Sequence, residues 1–257
     1  MKHPLRTLLL AVCCGLAAAC TQRQERLKLM SYNIRNGIGF DNIQDIGRIA
    51  RVILREAPDL VALQELDSAT LRVDGRYIPG ELGRMTGMHA TFGRAIGFAG
   101  GSYGVGLLSR TEPLAVRSIP LPGREEARVL LMAEFPDYTV CVTHLSLTPE
   151  DRLASLPIIR EATDTCRKPV LLAGDFNTGD AAAVLAGLGG GFRILSDTTR
   201  MTFPSDNPAV RIDYILSHGL PTSATVAESA VDHTAAASDH CPLWVTLAWK
   251  RGKQPGK

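Results

Sequence analysis

The sequence predicts an α/β layered sandwich, because apolar runs of strand length alternate along the chain with a few segments of helical periodicity. No internal repeat, low-complexity linker or Pro/Gly-rich boundary interrupts residues 27–249, so these residues are expected to form one domain. The chain has 257 residues, of which 45% are hydrophobic. It can therefore bury a substantial core and is too apolar to be disordered.

Eight apolar runs have the length and composition of β-strands. They cover residues 27–34, 60–63, 104–108, 129–135, 139–143, 170–173, 212–216 and 243–249. Helical periodicity predicts one helix after Asp41, with Asp41 as its N-cap and Pro58 closing it. Two more helices are predicted over 149–165, where Pro157 could introduce a kink, and over 181–188.

Polar side chains collect where the predicted strands begin or end. Four runs finish in side chains that can bind metal or transfer protons: Asn33, Glu65, His144, Asp175 and Asn177. Two other runs begin with such side chains: Asp213, Asp239 and His240. If the second group runs antiparallel to the first, all of them meet on one rim above a rigid sheet, where sites are usually built. One strand-terminal Asp is more often a turn residue, but the whole set predicts a site.

These residue types suit metal-assisted attack of water on a phosphate ester. Carboxylates such as Glu65 are hard oxygen ligands for Mg²⁺, and Mn²⁺ would fit the same set. No His-x-x-x-His or Cys-x-x-Cys spacing indicates zinc. His240 could act on the water if a buried carboxylate fixes its tautomer, and Asp213 is the natural candidate. Asn33 and Asn177 could hydrogen-bond phosphate oxygens without adding negative charge.

Several short motifs occur in an order that is typical of one superfamily. They are Asn33, Gln64-Glu65, the GVGLLSR run over 104–110, Thr143-His144, the GDFN run over 174–177, the RIDY run over 211–214, and Ser238-Asp239-His240. Together they resemble the endonuclease/exonuclease/phosphatase superfamily, which includes deoxyribonucleases, apurinic endonucleases and sphingomyelinases, and most closely its bacterial metal-dependent hydrolase branch. The resemblance implies a four-layer α/β sandwich, with two packed mixed β-sheets flanked by helices, and hydrolysis of phosphoric esters.

The same resemblance implies a role for each motif residue. The metal would be bound by Asn33, Glu65 and Asp239. Catalysis by in-line displacement would depend on His144, Asp175, Asn177, Asp213 and His240. Substrate would also be contacted by Asn177, through a phosphate oxygen, and by Tyr103, which precedes the strand over 104–108.

The first twenty residues have the pattern of a signal peptide: a basic start, a short apolar run and small residues before Cys20. The apolar run is too short to span a bilayer. The LAAAC run ending at Cys20 resembles a bacterial lipobox whose leucine lies one place early, and it predicts a lipid anchor on Cys20 in the cell envelope, periplasmic or on the surface. Ordinary signal peptidase could instead release a secreted enzyme, and a buried N-terminal helix is the third alternative. A polar spacer over 21–26 and a basic tail over 250–257 are expected to flank the domain.

The net charge of +2 combines three unlike segments. The signal peptide contains two basic residues and the tail four, and neither contains an acidic one, so residues 21–249 hold 22 basic residues against 26 acidic. An acidic body with few aromatic residues is a poor match for nucleic acid. The favoured prediction is therefore an exported, monomeric Mg²⁺-dependent hydrolase of a small or lipid-derived phosphate ester. A secreted nuclease that degrades extracellular nucleic acid is the alternative, and a non-catalytic binding module is the second alternative.

Overall fold

The computed structural model describes residues 24–250. Two mixed six-stranded sheets pack face to face, and helices cover the outer side of each sheet, which confirms the predicted four-layer α/β sandwich. The strands are β1 (Gln24–Asn33), β2 (Leu60–Ser68), β3 (His89–Phe98), β4 (Gly101–Ser109), β5 (Ala115–Leu121), β6 (Arg128–Glu134), β7 (Thr139–His144), β8 (Val170–Asp175), β9 (Phe192–Ile194), β10 (Asp213–His218), β11 (Thr225–Val231) and β12 (Leu243–Lys250). The helices are α1 (Ile46–Glu56), α2 (Ile78–Thr86), α3 (Pro149–Asp164) and α4 (Ala181–Leu188).

Three apolar cores hold the four layers together. The strand order is β11-β12-β1-β2-β4-β3 in the first sheet and β5-β6-β7-β8-β10-β9 in the second. Because successive side chains of a strand point to opposite faces, Leu27 and Leu29 of β1 enter the core between the sheets, whereas Met30 and Tyr32 pack under α1 and α2. A third core joins α3 and α4 to the second sheet.

The eight predicted strands all occur, and they are the interior strands of the two sheets. The four strands that the apolar runs do not predict are β3, β5, β9 and β11, and each is an edge strand. Exposure explains the difference, because β5 and β11 are exposed along most of their length and tolerate polar residues that interrupt their apolar runs, Arg117-Ser118 in β5 and Glu228-Ser229 in β11.

The helices differ from the prediction in two places. The prediction of Asp41 as the N-cap of the first helix is wrong: the N-cap is Asp45, since residues 40–42 form a turn that the bridge between Ile38 and Gln44 closes. The sequence did not predict α2, whose interior contains two weak helix formers, Gly80 and Gly83. The other two helices form as predicted, and α3 continues through Pro157.

The predicted signal peptide, Cys20 and nearly all of the basic tail lie outside the described residues. Residues 24–26 of the predicted spacer belong to β1, because Gln24, Glu25 and Arg26 pair with the last residues of β12. Within residues 24–250, none of the helices has both the length and the apolar character needed to cross a membrane.

Strand direction brings the polar strand ends together. β1 and β2 are parallel, as are β7 and β8, so the carboxyl ends of each pair lie side by side. β10 runs antiparallel to β8 and places Asp213 opposite Asp175. The result is one polar rim, which we define by Asn33, Glu65, His144, Asp175, Asp213 and His240.

Gly104 lies where two strands pass too closely for a side chain. A Cβ at this position would be 2.1 Å from the carbonyl oxygen of Gly93 and 2.9 Å from the amide nitrogen of Ala95, and both are backbone atoms of β3. We expect Gly104→Ala to lower the free energy of unfolding by about 2 to 3 kcal/mol, because the strands must separate. Urea denaturation measures the change. Gly190→Ala is the matched control, since its Cβ meets no atom within 4 Å, and equal stability of the two variants would contradict the prediction.

Candidate active site

The alternation of side chains along each strand explains why distant residues face the same cavity. Leu29, Val142, Ala173 and Ile215 belong to the core between the sheets. Counting along each strand in steps of two from these residues leads to Asn33, His144, Asp175 and Asp213. These four polar side chains therefore continue the inner faces of both sheets at the polar rim, where the apolar core ends.

Glu65 reaches this cavity only because β2 contains a bulge. Leu63 and Leu66 of β2 both pack on the outer, helical side, although they are three positions apart and a regular strand would place them on opposite faces. Between them the pairing with β4 shifts by one residue, and Glu65 adopts a left-handed backbone with φ of 58°. Without the extra residue, Glu65 would share the outward face of Leu63.

Asn33 lies at the centre of the cavity and connects its two halves. Its Nδ2 donates to Glu65 Oε1 at 2.9 Å and to Asp175 Oδ2 at 3.1 Å, while its Oδ1 accepts the backbone N–H of Arg35 at 3.0 Å. The hydroxyl of Ser238 donates to the carbonyl oxygen of Asn33 at 2.7 Å. This geometry makes Asn33 a positioning partner of Glu65, and direct binding of metal by Asn33 stays a prediction.

His240 and Asp213 form a buried pair. Nδ1 of His240 is 3.0 Å from Asp213 Oδ2, and the ring packs against Phe203 at a centroid distance of 4.8 Å. Burial favours the neutral imidazole, but the charge and hydrogen bond of Asp213, with the charge of Asp175, outweigh it and raise the pKa of His240 to about 10. Asp213 thus orients the ring so that Nε2 points into the cavity.

Asp175 stands between two histidines. Its Oδ2 is 3.6 Å from Nε2 of His144 and 3.7 Å from Nε2 of His240. Burial and the charge of Asp213 raise the pKa of Asp175. Burial lowers the pKa of His144 to about 4, despite the charge of Asp175, so His144 is neutral near neutral pH. One carboxylate therefore lies between two histidines, of which His240 favours the protonated form and His144 the neutral form.

Asn177 and Asp239 flank this group from loops. The backbone of Asn177 is left-handed, with φ of 51°, and its N–H donates to Asp175 Oδ1 at 2.8 Å. Its Nδ2 donates to the carbonyl oxygen of Leu145 at 2.8 Å, which leaves one amide proton for a ligand. Asp239 is partly exposed, and its Oδ2 lies 3.5 Å from Nε of Arg35. The structure therefore brings every predicted catalytic and metal residue to the polar rim or to its border.

The donors present fit a hard divalent cation. Burial raises the pKa of Glu65, and the charges of Asp239 and Asp175 raise it further against the hydrogen bond from Asn33. One oxygen of Asp213, Oδ1, is buried with no hydrogen-bond partner in residues 24–250. A cation beside Glu65 and Asp239 would relieve their repulsion, and carboxylate oxygens are the ligands that Mg²⁺ and Mn²⁺ prefer. Ligand atoms of Asp175, Asp213 and His240 also lie within 4.8 Å of one another, although Nδ1 of His240 is already paired with Oδ2 of Asp213.

Tyr103 lies beside the cavity but is nearly covered. It lines a small pocket with His144 and Arg128, and burial raises the pKa of its hydroxyl. The guanidinium of Arg72 covers its ring at 5.3 Å and the ring of Phe98 at 4.7 Å. The substrate contact predicted for Tyr103 stays a prediction. Sequence reasoning did not find Arg72 or Phe98, because neither belongs to a motif.

Glu125 holds the loop that follows His144. Its carboxylate accepts hydrogen bonds from the hydroxyl of Ser146 at 2.7 Å and from the N–H of Leu147 at 2.7 Å, and Arg128 lies 3.3 Å away. Burial opposes ionisation, but these donors outweigh it and lower the pKa of Glu125 from 4.5 to about 2. Sequence reasoning missed this residue, since Ser146 and Leu147, which it holds, lie more than twenty positions away.

We expect Glu125→Gln to destabilise the fold in a pH-dependent way. Because the folded pKa lies below the unfolded one, the carboxylate stabilises the fold fully above pH 4.5, and this stabilisation is lost as the pH falls toward 2. Because Glu125 is exposed and solvent screens its contacts, the variant should lose about 1 kcal/mol of unfolding free energy at neutral pH and progressively less in acid. Urea denaturation across this range, with the exposed Glu161→Gln as control, measures it. A deficit that stays constant with pH would contradict the assignment.

Comparison with known proteins agrees with the geometry of the polar rim. The sequence model of the Endonuclease/Exonuclease/phosphatase family matches residues 30–240. Among solved structures, a family protein from Bacteroides thetaiotaomicron is 19% identical, covering 89% of this chain and 100% of its own, with a TM-score of 0.72. A mannosyl-6-phosphatase from the same organism is 18% identical, covering 86% and 99%, with a TM-score of 0.68. TDP2 from D. rerio, complexed with a single-strand DNA product, is 22% identical, covering 86% and 98%, with a TM-score of 0.65.

These three likenesses are too distant to show more than a shared fold. The family match is more informative, because it covers most of the chain and includes all the residues of the polar rim. The chain therefore belongs to the endonuclease/exonuclease/phosphatase family, whose members are metal-dependent hydrolases of phosphate esters.

Proposed function

We propose that this protein is an exported Mg²⁺-dependent phosphodiesterase or phosphatase that acts on a small or lipid-derived phosphate ester. The observation that carries the proposal is that a buried His240–Asp213 pair and the carboxylates of Glu65 and Asp175 converge at the polar rim. In such a set, the carboxylates can bind a hard cation, and the histidine with its carboxylate partner can transfer or donate protons. The acidic body also favours a small ester over a polyanion.

The residues suggest a direct, in-line displacement by water. Asp175, whose carboxylate lies between the two histidines, is placed to orient the attacking water and accept its proton. His240, held by Asp213, presents Nε2 to a non-bridging phosphate oxygen and stabilises the charge that develops there. His144 would act on the leaving-group side, and the free amide proton of Asn177 would hold a second phosphate oxygen.

Glu65 and Asp239 would bind the metal, with Asn33 fixing the orientation of Glu65. When bound, Mg²⁺ neutralises the charge of the phosphate and polarises its oxygens. The left-handed backbone at Glu65 and the hydrogen bond from Asn33 hold this ligand in place before the ion arrives, which reduces the cost of ordering it.

The predicted export signal extends the proposal to the cell envelope. Cleavage before Cys20 and lipidation of that residue would anchor a monomer to the membrane, with release as a free secreted enzyme as the alternative. The basic tail would lie against anionic lipid. Mass spectrometry of the mature N-terminus tests the anchor: an acylated Cys20 is expected, and any other first residue would contradict it.

The activity is tested with bis(p-nitrophenyl) phosphate and p-nitrophenyl phosphate, each with Mg²⁺, Mn²⁺ or a chelator. We expect hydrolysis of at least one ester that the chelator abolishes, and a loss of that activity in Asp175→Asn. The exposed Asp74→Asn is the matched control. Binding of these esters without turnover in any metal would support the non-catalytic alternative instead.

Nucleic acid is the second candidate substrate, because the DNA-bound structure of TDP2 shares this fold. Arginines border the cavity, but Arg35 and Arg72 are already paired with Asp239 and Asp67. Nicking of plasmid DNA at low salt is therefore expected to be slow relative to hydrolysis of the small esters. A faster reaction on DNA would favour the nuclease.

A further inference from the structure

The chain termini and the catalytic side chains lie at opposite ends of the sandwich. β1 runs from Gln24 to Asn33, and ten residues of strand at about 3.3 Å each extend about 30 Å. Gln24 pairs with Lys250, the last residue of β12, so both ends of the described chain leave from the same place. We define the terminal pole as this end of the sandwich, marked by Gln24, Tyr138, Leu220 and Trp249.

The chain between the predicted anchor and β1 is too short for the molecule to turn over. Four residue steps separate Cys20 from Gln24, and a fully extended chain spans at most about 3.6 Å per step, or about 14 Å. To bring the polar rim to the bilayer that holds Cys20, the sandwich would have to place Gln24 about 30 Å above that surface. This height is about twice what the four steps can span.

The terminal pole itself has features that suit a lipid surface. A largely apolar pocket of about 320 Å³ opens there. Its lining includes Leu27, Tyr138, Leu220 and Trp249, together with the acidic residues Glu25 and Asp137. Tyr138, Leu220 and Trp249 are only partly buried against the core between the sheets. Trp and Tyr are the residues that favour the boundary between lipid and water. The four basic residues of the tail, over 250–257, follow directly from Trp249 and complement an anionic surface.

We propose that the anchored protein rests its terminal pole on the lipid surface and presents its polar rim to the aqueous phase. The substrate is then a phosphate ester taken from solution, because in this orientation the polar rim lies about 30 Å from the phospholipid of the protein's own membrane. This inference rests on the proposed phosphoesterase activity and on the proposed anchor at Cys20. It narrows the substrate class to water-soluble esters, whether released from lipid or not.

A tether of adjustable length tests the orientation. The acylated protein, purified from membranes, is reconstituted in vesicles of phosphatidylcholine and phosphatidylglycerol that contain hexadecyl p-nitrophenyl phosphate. Butyl p-nitrophenyl phosphate, which carries the same reactive group, is supplied in solution. A matched variant carries a Gly/Ser linker of about thirty residues after Gln22, long enough to span about 30 Å.

Both forms should hydrolyse the butyl ester at the same rate. The hexadecyl ester should be hydrolysed at least about tenfold faster by the long-linker form, because only that form can invert. Equal rates on the hexadecyl ester, or no hydrolysis of it by the long-linker form, would overturn the orientation. No hydrolysis of the butyl ester by either form would contradict the phosphoesterase activity itself, and an unacylated Cys20 would remove the anchor.

Fluorescence gives a second readout that needs no turnover. Trp249 and the buried Trp244 are the two tryptophans of the chain. Brominated lipid in the vesicles should quench the emission of the acylated protein and have little effect on Trp249→Phe. Absence of quenching would overturn the contact with lipid. Protection of Trp249 by self-association in the absence of vesicles would assign the pocket to a second copy of the chain and would overturn it as well.

Discussion

His240→Ala is expected to lower kcat by about a thousandfold, the largest effect of any single substitution at the polar rim. Asp213 orients the ring through a contact of 3.0 Å, and in the proposed mechanism Nε2 of His240 stabilises the charge that develops on the phosphate. The substitution removes this hydrogen-bond donor and leaves Asp213 without its partner. Steady-state hydrolysis of bis(p-nitrophenyl) phosphate at saturating Mg²⁺ measures the loss.

Because His240 is paired with Asp213, a second and more specific result is expected from substitutions at both residues. Asp213→Asn should cost less than His240→Ala, and the double variant should be no slower than His240→Ala alone, because the two residues act as one unit. His89→Ala is the matched control, since His89 is exposed at the start of β3, at the end of the sandwich away from the polar rim. A loss of less than about tenfold in His240→Ala would remove this residue from the catalytic machinery.

Glu65→Gln is expected to abolish the response to metal. The carboxylate is buried, and its pKa is raised by that burial and by the charges of Asp239 and Asp175, so its ionised form is costly until a cation arrives. In the absence of metal the variant should therefore be at least as stable as the wild type. Mg²⁺ at a hundredfold excess over its Kd should stabilise the wild type by about 2.7 kcal/mol and should leave the variant unchanged.

Thermal denaturation with and without Mg²⁺, together with kcat/KM, measures both parts of this prediction. The exposed Glu161→Gln on α3 should behave as the wild type in both. Stabilisation of Glu65→Gln by Mg²⁺ equal to that of the wild type would place the ion elsewhere. Lost activity together with a large loss of stability in the absence of metal would mean that Glu65 has a structural role.

Much of the fold could be predicted because its interior strands are buried on both faces. Burial requires nearly continuous apolar runs, and these runs are visible in the sequence as β1, β2, β4, β6, β7, β8, β10 and β12. Each edge strand has one neighbouring strand and is more exposed to solvent than the interior strands. Its structure is therefore decided by pairing with that neighbour and not by its own amino-acid composition. The start of α1 was similarly decided by a bridge between Ile38 and Gln44.

The site residues were predictable to different degrees. Asp175 and Asn33 lie at strand ends and share the face of the inner core, so the alternation of apolar residues already places them. Glu125 and Phe203 support the site through contacts with residues that are distant in sequence, and no local pattern identifies them.

The sequence by itself determined which polar residues end the buried strands, because the change from an apolar run to a carboxylate or amide is a local property of the chain. Only the tertiary structure decided which of them face each other. Glu65 points inward because pairing of β2 with β4 accommodates one extra residue, and His240 meets Asp213 because β10 and β8 run antiparallel. Register and strand direction depend on partner strands that are distant in sequence. The residue pattern of a single strand therefore does not predict its register or its direction.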